Sequence, residues 1–267
     1  GGEIKTNTDG GEGGGSNKKF DSSVSWHTST AASGYISHMW KRGAGFDVVA
    51  YDGQTEVIKD QRHGLNAVPE MMWIKARSGQ YAGSANWFVY HKDLNGGTNP
   101  EYWNLILNSA GAEQNAGLQY WQRQPTSTVF THGNTGGTGY TGWTYINILF
   151  ASVEGISKVG SYTGSSSELT ITTGFQPRFV IIKNRTNTGN NWTTGWFTFD
   201  TTRGWAAGNT DKRMRLNDNA AQTTEDWTNP ISTGFTINAN SGNQLNNNGE
   251  GYVYYCLLYT SPSPRDS

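Results

Sequence analysis

The stretch Thr144–Ile156, TYINILFASVEGI, repeats the pattern of an earlier stretch, Gly34–Phe46, GYISHMWKRGAGF, at a distance of 110 residues and without a gap. Both carry Tyr-Ile near the start and then place an aromatic residue and a glycine at the same positions. Self-similarity at a fixed distance is the signature of a repeat protein. The match therefore predicts that the chain consists of repeated units of about 110 residues.

Further matches follow downstream of both stretches in the same order. Those with the clearest correspondence are Trp73–Arg77 with Ile181–Arg185, Trp87–Tyr90 with Trp196–Phe199, Leu107–Asn108 with Leu216–Asn217, and Pro125–Thr131 with Pro230–Thr236. They divide the chain into the C-terminal remnant of a preceding unit with a glycine-rich loop (residues 1–45), a complete unit (46–155) and a second unit cut in its last strand (156–255). Almost no linker separates the two long units, so we expect stiffly joined, consecutive domains.

The composition and the local pattern favour short strands. Only 34% of residues are hydrophobic but 13% are aromatic, and the 35 glycines suit a folded chain with many tight turns. Eight runs of β-branched and aromatic residues bounded by turn residues predict strands in the complete unit. They are Val48–Tyr51, Glu56–Ile58, Met71–Ala76, Trp87–His91, Trp103–Leu107, Leu118–Trp121, Thr128–Thr131 and Trp143–Phe150. We therefore predict an all-β protein of tandem antiparallel β-sandwich units that are jelly-roll-like.

The charge balance and the hydropathy argue against two classes of function. The formal net charge is -1 and no basic block occurs, so we expect no nucleic-acid partner. No apolar run approaches the roughly 20 residues that a membrane-spanning helix needs. We therefore expect no membrane insertion.

Catalytic residue types do not recur between the two long units. Asp52 aligns with Thr163 and Glu70 aligns with Arg178, so the pair of carboxylates that a glycosidase needs is absent from the common scaffold. The five histidines never approach metal-ligand spacing. We expect a non-enzymatic protein with no catalytic residues, no cofactor and no metal site. A site in one unit alone, or outside these residues, stays open.

One polar pattern does recur: Lys75 and Arg77 match Lys183 and Arg185. Period-two alternation places both basic residues of a pair on one face of a strand. A basic stripe for an anionic sugar or a partner protein is one interpretation. The other is a solvated strand face whose long side chains cover apolar surface and whose charge discourages edge pairing.

Tryptophan offers a second candidate surface, because flat aromatic rings stack on the faces of sugars. Six tryptophans are candidate exposed ligand-binding residues, with core packing as the alternative for each. They are Trp103, Trp121 and Trp143 in the complete unit and Trp192, Trp205 and Trp227 in the next unit. Trp87 and Trp196 occupy matched positions and are therefore expected in the core.

The order and spacing of several short motifs resemble a known family. They are Phe-Asp-Val-Val-x-Tyr-x-Gly (46–53), His-Gly-Leu-x-x-x-Pro (63–69), Ile-Lys-x-Arg (74–77), Trp-Phe-Val-Tyr-His (87–91) and Phe-Asp-Thr-x-Arg-Gly (199–204). Together they resemble a tandem β-domain of uncharacterised function in large virion or tail-associated proteins of marine bacteriophages. The resemblance covers most of residues 34–255 and brings no assigned catalytic residues.

The resemblance implies a non-enzymatic structural component of a phage particle, located in the virion, with other virion or tail proteins as partners. A contribution to host attachment through a surface glycan is a further expectation. The alternative is an extracellular carbohydrate-binding or adhesin β-sandwich array. A third class is a set of accessory modules of a secreted polysaccharide-degrading enzyme, whose catalytic domain would lie outside these residues.

The last residues, 256–267, resemble one translated reading frame of a sequencing adapter, and the chain starts without methionine. This predicts an interior piece of a longer protein, in which Cys256 carries no information on disulfides. Cys256 and Leu257 are apolar and β-compatible, so they are expected to complete the last strand. Prolines block ladder hydrogen bonds, so residues 261–267 are expected to be exposed and irregular.

Overall fold

A computed structural model of the chain describes residues 4–13, 40–79, 86–208 and 211–258. Antiparallel strands dominate both long units. Unit 1 contains β1 (Phe46–Asp52), β2 (Ile58–Arg62), β3 (Met71–Ala76), β4 (Phe88–His91), β5 (Trp103–Ile106), β6 (Gln114–Asn115), β7 (Val129–Gly133) and β8 (Thr144–Phe150). The prediction of an all-β antiparallel fold is confirmed.

Unit 2 follows directly and is built in the same way. It contains β9 (Ser157–Thr163), β10 (Leu169–Thr172), β11 (Phe179–Asn184), β12 (Trp196–Asp200), β13 (Asp211–Arg215), β14 (Thr223–Glu225), β15 (Thr228–Ile231), β16 (Gly234–Ile237) and β17 (Gly251–Leu257). Two short helices, α1 (Asn191–Thr194) and α2 (Gly242–Leu245), lie in its loops.

The two units have the same strand order. Unit 1 has a six-stranded sheet β1-β8-β3-β4-β5-β6, and unit 2 has a six-stranded sheet β9-β17-β11-β12-β13-β14. A small sheet lies beside each large sheet: β2-β7 in unit 1 and β10-β16-β15 in unit 2. The pairings of β1 with β8 and of β2 with β7 follow a jelly-roll path, but β4 to β6 extend the large sheet instead of crossing to the small one.

Two predicted strands are wrong. Of Glu56–Ile58 only Ile58 lies in a strand, because β2 covers Ile58–Arg62. Residues 117–119 form a single 3-10 turn rather than part of a strand over Leu118–Trp121, and the short strand β6 lies earlier, at Gln114–Asn115. Gly117 has a φ of 58°, a left-handed conformation that interrupts a β ladder. The aromatic residues that follow point into the core from a turn, which a pattern of residue types does not distinguish from a strand.

Each unit encloses a core between its large and its small sheet. Met72, Ile74 and Phe130 belong to the unit-1 core, and Ile182 and Phe235 belong to the unit-2 core. All residues of β3 and of β11 are buried, so the opposite face of each large sheet is covered as well. The large sheets therefore have two apolar faces.

The second faces of the two large sheets pack against each other and form a third core, the shared core. Its buried residues are Met71, Trp73, Trp87, Val89, Leu94, Leu105, Leu107 and Phe150 from unit 1 and Val159, Phe179, Ile181, Trp196, Val253 and Tyr255 from unit 2. The rings of Phe150 and Tyr255, one from each unit, lie 4.8 Å apart. The two units therefore pack face to face, with the small sheets on the outer sides, in addition to being joined through their short connection.

Two predictions concern the end of the chain. Cys256 and Leu257 lie in β17, where they pair with Lys158 and Ser157 of β9, as expected. Cys256 is fully buried in the unit-2 core. Residues 261–267 lie outside the described residues, and the resemblance of residues 256–267 to an adapter stays a prediction.

Adjacent residues of β11 point into different cores, so their substitutions should have different effects on unit 1. Ile181→Ala removes atoms from the shared core and Ile182→Ala removes them from the unit-2 core. We expect each variant to lose roughly 2–5 kcal/mol of unfolding free energy, because both side chains are buried. Only Ile181→Ala should also speed amide exchange in β3 and β8 of unit 1. Equal exchange in unit 1 for both variants would contradict the face-to-face packing.

Candidate functional site

The four recurring basic residues lie at the edge of the shared core. Lys75 and Lys183 have side chains with no exposed surface at all, while the paired arginines are partly exposed. A solvated face and a stripe open to an anionic sugar are therefore both wrong for the lysines. In both units a segment of chain covers these residues, and we call it the docking segment. We call the three residues that bind it the socket. The socket of unit 1 is Lys75, Arg77 and Trp87, and that of unit 2 is Lys183, Arg185 and Trp196.

The socket of unit 2 receives residues 105–114 of unit 1. The Lys183 ammonium donates to the carbonyl oxygen of Ala110 at 3.0 Å. It also donates to two carbonyl oxygens of its own unit, those of Asn184 at 2.7 Å and Thr194 at 2.6 Å. Three carbonyl acceptors around one ammonium satisfy a cation that would otherwise be costly to bury.

Two further contacts hold the same docking segment. The indole Nε1 of Trp196 donates to the carbonyl oxygen of Ile106 at 3.0 Å. Arg185 forms an ion pair with Glu113, and the Glu113 amide donates to the Arg185 carbonyl oxygen at 2.7 Å. The segment is thus fixed at both ends and in the middle.

The socket of unit 1 receives residues 4–13 in the same way. The Lys75 ammonium donates to the Asp9 carbonyl oxygen at 2.8 Å. Trp87 Nε1 donates to the Lys5 carbonyl oxygen, also at 2.8 Å. Arg77 pairs with the Glu12 carboxylate at 2.6 Å, and the Glu12 amide donates to the Arg77 carbonyl oxygen at 2.9 Å.

The two docking segments are equivalent residue by residue. The contact residues shift by the same 101 positions, from 5 to 106, from 9 to 110 and from 12 to 113. Residues 4–13 therefore have the place that follows the fifth strand in a unit of this fold. Equal contacts at both sockets indicate one docking mode, used twice.

An asparagine fixes where the docking segment leaves its own unit. The Asn108 side chain accepts from the Trp87 amide at 2.9 Å, and Asn217 accepts from the Trp196 amide at 2.8 Å. Each of these tryptophans therefore makes two contacts. Its indole binds the docking segment of the neighbouring unit, and its backbone amide binds the docking segment of its own unit. The docking segment of each unit therefore leaves its own sheet at the equivalent asparagine.

Burial lowers the pKa of both socket lysines. The pKa of Lys183 falls from 10.5 to about 7, and that of Lys75 falls to about 8 with Asp9 opposing the change. The paired carboxylates and guanidiniums are less enclosed, with 16% of the Arg185 side chain and 9% of the Glu113 side chain exposed. Of the charged groups in the socket, the lysine is therefore the one most affected by burial.

The six candidate tryptophans do not form a common surface. Trp121, Trp143, Trp205 and Trp227 are buried, so the prediction of exposed rings is wrong for these four. Their rings are packed among core residues; the Trp205 ring, for example, lies 6.4 Å from that of Phe235, and its Nε1 donates to the Thr228 carbonyl oxygen at 3.0 Å. Trp103 is partly buried against the shared core.

Trp192 is the exception, with 52% of its surface exposed. It lies in α1, whose start is capped by the Asn190 side chain. The Arg215 guanidinium carbon lies 4.5 Å from the ring centroid and that of Arg213 lies 5.2 Å from it. Trp192, Arg215 and Asp218 line an open cavity of about 770 Å³ together with Ala110 and with Asn, Ser, Thr and Gly residues of both units. The ring is therefore held in place but accessible.

The sequence pattern missed the role of four residues. Trp87 and Trp196 were expected in the core, where they are, but their indole donors also bind the neighbouring chain. Glu12 and Glu113 were not singled out. Their common context, Asn-x-x-Gly-x-Glu at residues 7–12 and 108–113, is a signal that an alignment of the chain with itself could have found.

Within residues 4–13, 40–79, 86–208 and 211–258, no group of three or more His, Cys, Asp or Glu side chains is placed to hold a metal ion. Nor does this part of the chain contain a helix long and apolar enough to cross a membrane.

The fold and the sockets define an all-β repeat protein whose units are fastened to each other through buried lysines. The chain belongs to the family described as a domain of unknown function, DUF7483, whose model matches residues 4–260. The matched region spans both units and the first docking segment. Neither a curated protein nor a solved structure matches the chain significantly.

The lowered pKa of Lys183 predicts a dependence of stability on pH. Between about pH 7 and 10.5 the folded protein binds fewer protons at this site than the unfolded chain does. The free energy of unfolding should therefore rise with pH across this window, and Lys75 should add in the same direction above about pH 8. Denaturant unfolding at a series of pH values measures the slope.

Lys183→Met should flatten this slope and lower stability at neutral pH by roughly 1–3 kcal/mol, because carbonyl acceptors lose their donor. Lys212→Met, at an exposed position of β13, is the matched control and should change neither quantity. An unchanged slope in Lys183→Met would show that this lysine does not titrate as the burial implies.

The Arg185–Glu113 pair should behave as a coupled unit across the interface. Reversing one charge, as Arg185→Glu or Glu113→Arg, should destabilise by roughly 1–3 kcal/mol, and the double reversal should recover most of the loss. The exposed pair of Arg123 and Asp60 is the control, since surface pairs contribute about 0–1 kcal/mol. Additive effects of the two reversals would contradict a direct contact between the units.

Proposed function

We propose that the chain is a non-enzymatic structural component of a bacteriophage particle, a tail-associated or virion-associated repeat protein that contributes to attachment to the host surface. The motif order that resembles tandem β-domains of phage particles supports the particle assignment. Other virion or tail proteins are then its partners, and the virion is its location.

The repeated docking mode is the observation that carries the structural role. Two sockets bind two docking segments with equivalent contacts, and the shared core joins the large sheets of the two units. A protein that must keep a fixed length and direction benefits from units that cannot rotate against each other. Flexible linkers would give reach but no fixed direction.

The recurring polar residues support a non-enzymatic role. Lys, Arg and Trp of the sockets recur in both units because each has a partner in the neighbouring unit. His91, which aligns with Asp200, is fully buried in the shared-core region of unit 1, where its pKa is lowered to about 4 by burial. Its uncharged form suits packing against unit 2.

Two observations test the particle assignment. Peptides of the chain should be found by mass spectrometry in density-purified, virus-sized particles, and genes for tail or capsid proteins should flank its coding sequence. Detection only in a bacterial cell-envelope or secreted fraction, with polysaccharide-utilisation genes as neighbours, would overturn the assignment.

An extracellular carbohydrate-binding or adhesin array is the second candidate, with accessory modules of a polysaccharide-degrading enzyme as a related form. The exposed ring of Trp192 beside a polar cavity favours it. Arg213 pairs with Glu225 and Arg215 with Asp218, so the charges near the ring are compensated. A neutral sugar stacked on the ring suits this site better than an acidic one.

Trp192→Ala should abolish glycan binding if this ring is a sugar platform, and Trp192→Phe should retain part of it because a flat ring remains. Binding of the three proteins to an array of bacterial surface polysaccharides measures the effect. Tyr102→Ala, at an exposed aromatic residue of unit 1, is the control. Binding that survives Trp192→Ala would remove this site from consideration.

A further inference from the structure

Unit 2 has a docking segment of its own, residues 214–223. Asn217 accepts from Trp196 as Asn108 accepts from Trp87, so the segment leaves unit 2 at the equivalent point. Leu216 packs against the shared core, as does its counterpart Leu107. The position of Glu113 is taken by Gln222.

The docking segment of unit 2 lacks the socket contacts that the other two segments make. Residues 219–222 are exposed, whereas only 9% of the Glu113 side chain is exposed in the equivalent segment of unit 1. Asp9, Gly10 and Glu12 of the first segment are exposed too, but their segment is held by Lys75, Arg77 and Trp87. The Glu12 and Glu113 amides each donate to an arginine carbonyl of a socket. Among the described residues, no third socket covers residues 219–222.

Trp40 shows which unit lies next to unit 2. Trp40 has the place of Phe150 at the end of a unit's last strand, so it belongs to the same preceding unit as residues 4–13. Its ring lies 5.8 Å from that of Phe179 in unit 2 and 6.1 Å from that of Phe46 in unit 1. If the three units were stacked in a line, the preceding unit would contact unit 1 and would not reach unit 2.

We propose that three units close into a ring around the shared core, and that residues 214–223 bind the socket of the preceding unit. The occupant is therefore a third β-unit with a Lys-x-Arg strand and a tryptophan, arranged as in units 1 and 2. Within a unit this strand comes 30 residues before the docking segment, from 75 to 105, so in the preceding unit the strand comes before the docking segment at residues 4–13.

The contacts of the third socket follow from the other two. The lysine ammonium donates to the carbonyl oxygen of Asn219, and the indole donates to that of Arg215. The arginine binds the neutral amide of Gln222, a weaker partner than the carboxylates of Glu12 and Glu113. An interface between unlike surfaces continues as a filament or closes as a ring, and the Trp40–Phe179 contact selects the ring.

A chimera tests the closure directly. Residues 46–104 are added before Ile4, because residue 4 is equivalent to residue 105, so the added residues and residues 4–45 make one whole unit. Amide exchange of residues 216–222 should become roughly tenfold slower than in the 267-residue chain. Lys75→Met in the added copy is the matched control and should reverse much of this protection. Unchanged exchange in a folded chimera would overturn the ring.

A second measurement uses the chain without additions and decides the matter if the chimera does not fold. Trp40→Ala should speed amide exchange at residues 179–181 of unit 2, since the contact with Phe179 is lost. Trp192→Ala, at an exposed ring of unit 2, should leave these amides unchanged. The same exchange in Trp40→Ala as in the parent chain would overturn the placement of the preceding unit.

Amide exchange at several protein concentrations tests whether the third socket comes from the same chain or from a second copy. In the unmodified chain, residues 216–222 should exchange fast at every protein concentration. Protection that grows with concentration would identify a second copy of the chain as the occupant and overturn a ring within one chain. The ring does not rest on a role in a phage particle, so either proposal can fail without the other.

Discussion

The packing of the units against each other depends on the need to cover the second apolar face of each six-stranded sheet. The small sheets β2-β7 and β10-β16-β15 cover only one face of each large sheet. The other face carries residues such as Trp73 and Ile181, which are too apolar to remain in water. Face-to-face packing of neighbouring units solves this for both sheets at once, so a unit completes its core only in the company of another unit.

Apolar packing alone does not fix how one sheet lies on another, and the sockets supply the missing direction. A buried ammonium accepts only positions in which carbonyl oxygens surround it, as Ala110, Asn184 and Thr194 surround Lys183. A shifted docking segment would leave the buried amino group of Lys183 without its hydrogen-bond partner in unit 1, and a buried polar group without a partner is costly. The lysine thus selects one register, and the Arg–Glu pairs support it from the more exposed side.

The polar residues that recur in both units therefore mark contacts between units and not a ligand site. The polar residues that both units retain, the socket lysines and arginines, are occupied by neighbouring chain. The feature best placed for an external ligand, Trp192, lies instead in the α1 loop of unit 2, outside the matched motifs. A repeat scaffold with ligand-binding residues in unmatched loops can vary its ligand without losing its assembly, which suits a particle component or an adhesin alike.

The sequence by itself determined the all-β fold, the repeat and most strands, because alternation of residue types and turn signals are local properties. It also placed Lys75, in β3, and Arg77, just after β3, on the same face. What covers that face was decided only by the tertiary structure, since period-two alternation is the same for a face in water and for a face beneath another unit. Trp121 and Trp192 show the same limit: both are tryptophans next to turns, and only the fold buries one ring and exposes the other.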